Sequence, residues 1–277
     1  MSKGPGLFSD IGKKSKDLLT KDYSYDQKFV VATTTNAGLG FTSSAVKKGG
    51  ISTGDLALQY KYNNHVINLK VDTESNITTT ITMQDFLPSV KTIATFKFPE
   101  YNGGKLEVQY LHDHAAVSTT VALSQSPAVD VSATFGTPRF AFGAEAAYET
   151  KLATFTKYNA GVSVITPDYN NVSVILADKG DTLRASYVHY LGEPKKSAGV
   201  AEISRRISTN ENTFTVGGSH AFDQLTSVKA KLNNHGMLGA LFQHEVKPKS
   251  ILTISGEVDT KALDKNPRFG LSFLLKP

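Results

Sequence analysis

One segment in the first quarter of the chain reads Asp55-Leu56-Ala57-Leu58-Gln59-Tyr60-Lys61-Tyr62. Successive side chains of a β-strand point to opposite faces, so its leucines and tyrosines would share one face and Asp55, Gln59 and Lys61 the other. The first face suits lipid and the second suits water. The segment is therefore typical of a strand in a membrane β-barrel.

The same alternation recurs in segments of about ten residues from Lys28 to the C-terminus. Clear examples are residues 129–135, 140–148 and 269–275. Turn residues such as Lys48-Gly49-Gly50 separate the segments. Counting them predicts about nineteen strands in one β-barrel domain, 25–277, preceded by an N-terminal amphipathic helical segment, 1–24.

Soluble β-sandwiches and small barrels also alternate, and a mean hydropathy of -0.21 would suit them. The polar face, however, is rich in Thr, Ser, Gly, Gln and Lys throughout, and 277 residues is long for one soluble barrel. A wide, water-filled lumen accounts for both features. No segment approaches the roughly 18 apolar residues of a transmembrane helix, so a membrane protein of this sequence must be a closed barrel. The soluble alternative stays open at this point.

Residues 7–19 have a different period. Leu7, Ile11 and Leu18 fall on one helical face, and lysine and aspartate residues surround it. We therefore predict one short amphipathic helix of about 12 to 15 residues, roughly 20 Å long and too short to cross a bilayer. Its apolar stripe must rest either on the membrane surface or on the inner wall of a pore. A docking helix without any gating role is a further alternative.

Three parts of the chain point to one family. Residues Pro5–Lys21 closely resemble the N-terminal helix of the voltage-dependent anion channel, the mitochondrial porin, in its plant form. Residues 220–241, which begin His220-Ala221-Phe222-Asp223, resemble the eukaryotic porin signature. The last strand fits the signal that mitochondrial barrels present to their insertion machinery, and its defining positions are Arg268, Gly270, Phe273 and Leu275.

The resemblance implies a closed antiparallel transmembrane β-barrel of nineteen strands whose first and last strands are parallel, with the helix inside or at the pore. It implies a voltage-gated, weakly anion-selective diffusion channel of the mitochondrial outer membrane that passes inorganic ions and metabolites such as nucleotides. It implies neither enzyme activity nor a cofactor or metal. The related protein-import pore of the same membrane remains the alternative.

The partners that the resemblance implies are the lipid bilayer, anionic metabolites including ATP and ADP, the mitochondrial barrel-insertion machinery, further copies of the chain and cytosolic kinases. No nucleic acid specificity is expected. The chain departs from the animal members at one place, because Asp22-Tyr23-Ser24-Tyr25-Asp26 stands where they have Gly-Tyr-Gly-Phe-Gly. A gating mechanism that needs a glycine hinge there is in doubt for this sequence.

Charge predicts the preference of such a pore. The chain has 30 Lys and Arg residues against 25 Asp and Glu residues. If apolar residues face lipid, most charges lie in the lumen, on the helix or in the turns, and anions are favoured. By alternation, the candidate pore-lining lysines are Lys61, Lys91, Lys97, Lys229 and Lys231. The candidate voltage-sensing and nucleotide-contacting lysines of the helix are Lys13, Lys14, Lys16 and Lys21. For each lysine, a solvated surface position is the alternative.

Enzyme sites find little support. Gly38-Leu39-Gly40 lacks the third glycine of a dinucleotide-binding motif, and the chain has no phosphate-binding Gly-Lys-Ser/Thr loop. The absence of cysteine excludes thiol catalysis and disulfides. His112-Asp113-His114 has no third metal ligand in view and fits a solvated turn better.

Overall fold

The computed structural model describes residues 4–35, 38–84, 87–100, 103–192, 196–264 and 266–276. Nineteen strands form one sheet that closes on itself. In chain order the strands are β1 Gln27–Thr34, β2 Leu39–Lys48, β3 Ile51–Tyr62, β4 His65–Asp72, β5 Ile77–Gln84, β6 Val90–Phe98, β7 Gly104–Leu111, β8 Ala115–Leu123, β9 Ala128–Gly136, β10 Phe140–Glu149, β11 Thr154–Ile165, β12 Asn171–Ala177, β13 Thr182–Leu191, β14 Ser197–Arg206, β15 Glu211–Ala221, β16 Thr226–Asn233, β17 Met237–Lys247, β18 Ser250–Asp259 and β19 Arg268–Leu275. The predicted strand number is confirmed.

Consecutive strands pair antiparallel, and the barrel closes where β1 pairs parallel with β19. An odd number of alternating strands forces this, because the first and last strands then run in the same direction. The parallel register runs from Gln27 opposite Leu271 to Val31 opposite Leu275. The predicted fold class is therefore confirmed, including the parallel closure.

The apolar face of the sheet points outward. On β3, Leu56, Leu58, Tyr60 and Tyr62 are all exposed on the outside of the barrel, as the alternation predicts. Large apolar side chains are exposed in the same way on nearly all of the remaining strands. Such a continuous surface is unfavourable in water and is solvated in hydrocarbon. Within the described residues, no helix is long and apolar enough to span a membrane.

The N-terminal segment is not one continuous helix. A 3-10 turn at Phe8–Asp10 precedes the α-helix α1, Lys13–Thr20, and a second short 3-10 turn lies at Asp178–Gly180. Gly12 separates the first turn from α1 with a φ of 73°, a left-handed conformation that suits glycine. The predicted short N-terminal helix is confirmed, but its extent over residues 7–19 was wrong, because the break at Gly12 shortens it to Lys13–Thr20.

The two ends of the barrel are named here by strand direction. The first rim is the end at which β1 begins, and the second rim is the end at which β1 finishes. Each even-numbered strand therefore starts at the second rim and ends at the first. The turn between β16 and β17, for example, lies at the first rim, and the turn between β17 and β18 lies at the second.

Candidate functional site: the lumen and the N-terminal segment

The N-terminal segment lies inside the barrel against the wall. Its 3-10 turn contacts β9 and β10, and α1 contacts β13 to β16. Gly4 lies against the backbone of His112 at the second rim, whereas β1 starts at the first rim. The segment therefore descends along the inner wall from one rim to the other. The apolar stripe of the segment therefore rests on the inner wall of the pore, which is one of the two predicted places, and not on the membrane surface.

A buried stripe attaches this segment to the wall. Phe8, Ile11, Ser15 and Leu19 are all buried. Leu19 packs in a cluster with Val188 of β13 and Val200 of β14. Full burial of one such apolar side chain contributes about 1.5 to 3 kcal/mol. Three of them therefore give the docked position a substantial preference over a helix free in the lumen.

The predicted docking residues occupy different environments. Ile11 is buried, Leu18 is partly buried and packs beside the Leu19 cluster, and Leu7 is partly buried near the acidic side chains of β7 and β9. Phe8 and Leu19 were missed, because one helical wheel was drawn through the break at Gly12. The glycine itself was the signal that could have shown the break.

Glycines of the wall make room for the segment. A Cβ atom at Gly217 of β15 would lie 2.9 Å from Leu19 Cδ2, and one at Gly161 of β11 would lie 3.2 Å from Ile11 Cγ2. At Gly270 of β19, a Cβ atom would overlap the Ser24 carbonyl oxygen. Gly270 therefore has a structural role in the lumen, in addition to its predicted place in the insertion signal.

The linker between α1 and β1, residues 21–26, is attached to β16. The Lys229 Nζ atom donates a hydrogen bond to Asp22 Oδ2 at 3.3 Å, and a second to the Lys21 carbonyl oxygen at 3.4 Å. The Lys231 Nζ atom lies 4.4 Å from the centre of the Tyr23 ring, within the range of a cation–π interaction. Two of the five predicted pore-lining lysines thus hold the linker.

The same linker is attached to β18 and β19. The Tyr25 hydroxyl donates a hydrogen bond to Glu257 Oε2 at 2.8 Å, and Arg268 lies 3.7 Å from the other oxygen of that carboxylate. The Ser255 hydroxyl donates to the Ser24 carbonyl oxygen. The linker that lacks a glycine hinge is therefore fixed to the wall along most of its length.

The other three predicted pore-lining lysines belong to a basic arc on β3 to β7. Its members are Lys61, Lys70, Lys91, Lys97 and Lys105, all at positions on the lumen face. Lys70 pairs with Asp55 at 3.3 Å, and among the described residues no ion pair is found for the other members. Lys70 and Lys105 were missed, although the same alternation would have found them.

The lysines of the N-terminal segment face the lumen from the opposite side. About half of the nineteen strands separate the middle of the basic arc, β5, from the strands under α1. Lys13 pairs with Asp10 at 3.1 Å, and Lys14 Nζ lies 6.0 Å from the centre of the Tyr190 ring. Lys16 and Lys21 are exposed. The lumen thus has lysines on two opposing sides.

The wall near the segment is closer to neutral. Lys157 pairs with Glu145 at 2.7 Å, and Arg184 lies 3.7 Å from Glu202. These pairs leave the basic arc and the exposed lysines of the segment as the main sources of positive potential in the pore.

The comparison with known families agrees with this geometry. The family model described as eukaryotic porin matches residues 4–270. The chain belongs to the eukaryotic porin family. It is 60% identical over its full length to the full length of the Arabidopsis thaliana mitochondrial outer membrane protein porin 2, and 57% identical to porin 5 of rice, Oryza sativa subsp. japonica, over 99% of each chain. A Pisum sativum outer plastidial membrane protein porin is 49% identical, again over the full length of both chains.

The family and the barrel together make this porin a pore-forming channel and not an enzyme. The two more similar relatives are named for the mitochondrial outer membrane, and this porin is accordingly a barrel of that membrane.

The predicted insertion signal lies on β19, at the closure of the barrel. Phe273 and Leu275 lie on the outer face, and the Phe273 ring stacks on the Phe29 ring of β1 with their centres 5.9 Å apart. Arg268 begins the strand at the first rim, beside Glu257. Their role in insertion stays a prediction.

Proposed function

We propose that this porin is a voltage-gated, weakly anion-selective diffusion channel that passes inorganic ions and metabolites such as nucleotides. The observation that carries the proposal is the pair of opposing lysine groups in the lumen, the basic arc on β3 to β7 and the exposed lysines of the N-terminal segment. Anions that enter the pore meet positive potential on both sides.

The size of the pore explains why the preference is weak. Nineteen strands about 4.8 Å apart and tilted by about 45° close at a backbone radius of about 20 Å. The N-terminal segment narrows this lumen and leaves room for a nucleotide such as ATP or ADP. The Debye length at physiological salt is about 8 Å, so the field of the wall lysines is partly screened near the pore axis. Selectivity therefore falls as salt concentration rises.

Voltage acts on the same charges. One elementary charge that crosses the full membrane potential gains or loses about 2.3 kcal/mol per 100 mV. A unit that moves a few charges through part of the field responds to tens of millivolts. Because the linker is attached to β16, β18 and β19, we expect α1 to move together with wall strands and not to swing alone.

The remaining partners follow from the family resemblance. The barrel-insertion machinery would read β19, and anionic metabolites would contact the lysines of the lumen. Further copies of the chain and cytosolic kinases would bind outside the pore.

The test is reconstitution of the purified porin into a planar bilayer with a salt gradient. A metabolite channel gives large conductance steps, a reversal potential whose sign indicates a preference for anions, and partial closure as the voltage rises. A protein-import pore would prefer cations and would be blocked by basic presequence peptides. Loss of the anion preference in well-formed channels would overturn the proposal.

A further inference from the structure

The histidines of this porin are distributed unevenly between the two rims. The chain has seven, and six of them lie at or near the second rim: His65, His112, His114, His189, His220 and His244. His235, in the turn between β16 and β17, lies at the first rim. All seven belong to the described residues. Alternation along the strands does not require this clustering, because either face of either rim could carry histidine.

Five of the six continue the outward-facing positions of their strands; we call them the histidine rim and define it as His65, His112, His189, His220 and His244. The ring of His114, in the turn after β7, lies 6.4 Å from that of His112. His65 lies opposite the outward-facing Tyr62 and Met83. The other four each contact an aromatic ring two residues away on the same face. The pairs are Tyr110 with His112 at 6.2 Å, Tyr187 with His189 at 6.1 Å, Phe222 with His220 at 4.9 Å and Phe242 with His244 at 6.3 Å between ring centres.

The histidine rim lies close to the strand ends, the level at which a barrel is expected to meet the lipid headgroups. Each histidine lies within three residues of a strand end, which is within about 10 Å of the rim at about 3.3 Å per residue. The headgroup region of a bilayer occupies about 5 to 8 Å on each side of the hydrocarbon core. Aromatic side chains collect at this level in membrane proteins, and Tyr110 and Tyr187 lie there beside histidines of the histidine rim.

Hydrogen bonds orient three of the rings. Hydroxyl groups lie beside the Nδ1 atoms of His220 (Ser197, 2.8 Å), His244 (Thr226, 3.0 Å) and His189 (Tyr187, 3.3 Å). Within the described residues no hydrogen bond or ion pair joins the Nε2 atom of any of the three. The Nε2 atoms are thus left for an acceptor from outside the chain.

The surroundings of the histidine rim carry little charge. The strand partners on the outer face are uncharged: Met83 and Tyr62 for His65, Gly199 for His189, Val228 for His220 and Leu252 for His244. Apart from the tyrosines that stack on the histidines, the described charged or titratable groups near these rings come from the turns: Asp113 and His114 beside His112, Asp223 beside His244, and Lys196 next to Ser197. The backbone N–H of Leu225 and further hydrogen bonds hold the pKa of Asp223 below its usual value.

Metal binding does not account for this arrangement. Among the residues that the structure describes, no group of three or more His, Cys, Asp or Glu side chains could hold a metal ion. The five histidines are instead distributed over β4, the end of β7, β13, β15 and β17, each on a separate part of the circumference. This spacing suits several small molecules, each bound at a separate histidine around the barrel.

We propose that the histidine rim is a proton-sensitive binding surface for anionic phospholipid headgroups in the leaflet at the second rim. A protonated imidazole carries a positive charge and donates a hydrogen bond from Nε2 to a phosphate oxygen, and the aromatic neighbour packs against the lipid. Histidine is the side chain whose charge ordinarily changes within the physiological pH range, which makes it the natural proton-sensitive group for such a surface. The proposal rests on the membrane position of the barrel and not on its ion selectivity.

The test measures lipid association at the outer surface directly. The porin is reconstituted in phosphatidylcholine vesicles with spin-labelled phosphatidylglycerol or spin-labelled phosphatidylcholine, and the immobilised fraction is measured by electron paramagnetic resonance at pH 7.5 and pH 5.5. Phosphatidylglycerol is a phosphodiester, so its own charge stays constant over this range. We expect its relative association to rise about fivefold on acidification, the factor that one added charge at a membrane surface gives, and that of phosphatidylcholine to stay constant.

Replacement of all five histidines by glutamine should remove this rise. The matched control is the variant His235→Gln, which changes the histidine at the first rim and should keep the rise. If the variant with all five replacements does not assemble, the single variants His220→Gln and His244→Gln replace it in the test. Each is expected to lose part of the rise. The proposal would be overturned if phosphatidylglycerol association rose equally in the variant with all five replacements, or if it did not rise in the unmodified porin.

Discussion

At the residue scale, Gly270 shows how one position can serve two requirements. Its predicted place in the insertion signal needs a small residue, and the linker needs the same, because any side chain would overlap the Ser24 carbonyl oxygen. Backbone cannot move aside as a flexible side chain can. A substitution at Gly270 should therefore displace the linker even in a barrel that inserts normally.

We therefore expect Gly270→Ala to release the linker from β19 in an otherwise folded barrel. Trypsin should then cleave the peptide bond after Lys21 several times faster in detergent solution. The reason is that a released linker no longer holds this bond against the wall of the barrel. The matched control is Gly199→Ala on β14, where a Cβ atom would meet nothing within 4 Å. Equal cleavage rates in the two variants would mean that the contact at Ser24 is not needed.

The lysines of the basic arc should control the ion selectivity of the pore. Exchange of Lys61 and Lys97 together for glutamate changes the lumen charge by about four units, so we expect the anion preference to be lost or reversed. The measurement is the reversal potential in a salt gradient. Lys151→Glu with Lys179→Glu makes the same charge change in turns at the first rim and should shift the potential much less. The idea fails if both pairs act alike.

At the element scale, the strands could be predicted because each has a lipid side and a water side. Strand β3, for example, contains the alternating segment Asp55–Tyr62 and begins four residues earlier, at Ile51. The contacts of the linker could not be predicted. They join Asp22 to Lys229 and Tyr25 to Glu257, more than 200 residues apart, and no local pattern marks such pairs.

The last strand carries a prediction about assembly. If β19 is read by the insertion machinery, Phe273→Gln should leave the chain unassembled in isolated mitochondria and affect refolding in detergent much less. Phe273 also stacks on Phe29, so loss of the stack alone must be separated from loss of the signal. Phe29→Gln removes the same stack and leaves β19 intact. Equal assembly defects in the two variants would assign the effect to the closure of the barrel.

At the scale of the whole molecule, the N-terminal segment and the wall should respond to voltage as one body. Deletion of residues 1–20, or replacement of Lys13, Lys14, Lys16 and Lys21 together by glutamine, should flatten the conductance–voltage curve and leave a large open conductance. The reason is the loss of charge that the field can move. Channels that closed with unchanged steepness would place the voltage sensor among the lysines of the barrel wall.

The closure of the barrel has a further consequence, for the time course of folding. β1 and β19 meet through five residue pairs whose members are 244 positions apart, and bringing chain ends of that separation together costs about 5 kcal/mol of loop entropy or more. Among the nineteen strands of the barrel, β19 is the last in chain order and is therefore synthesised last. A product without β19 lacks the strand that closes β1, so any sheet it formed would have two unpaired edges, which are templates for aggregation. The chain must therefore be finished, and kept from pairing with its neighbours, before any of it can become a pore.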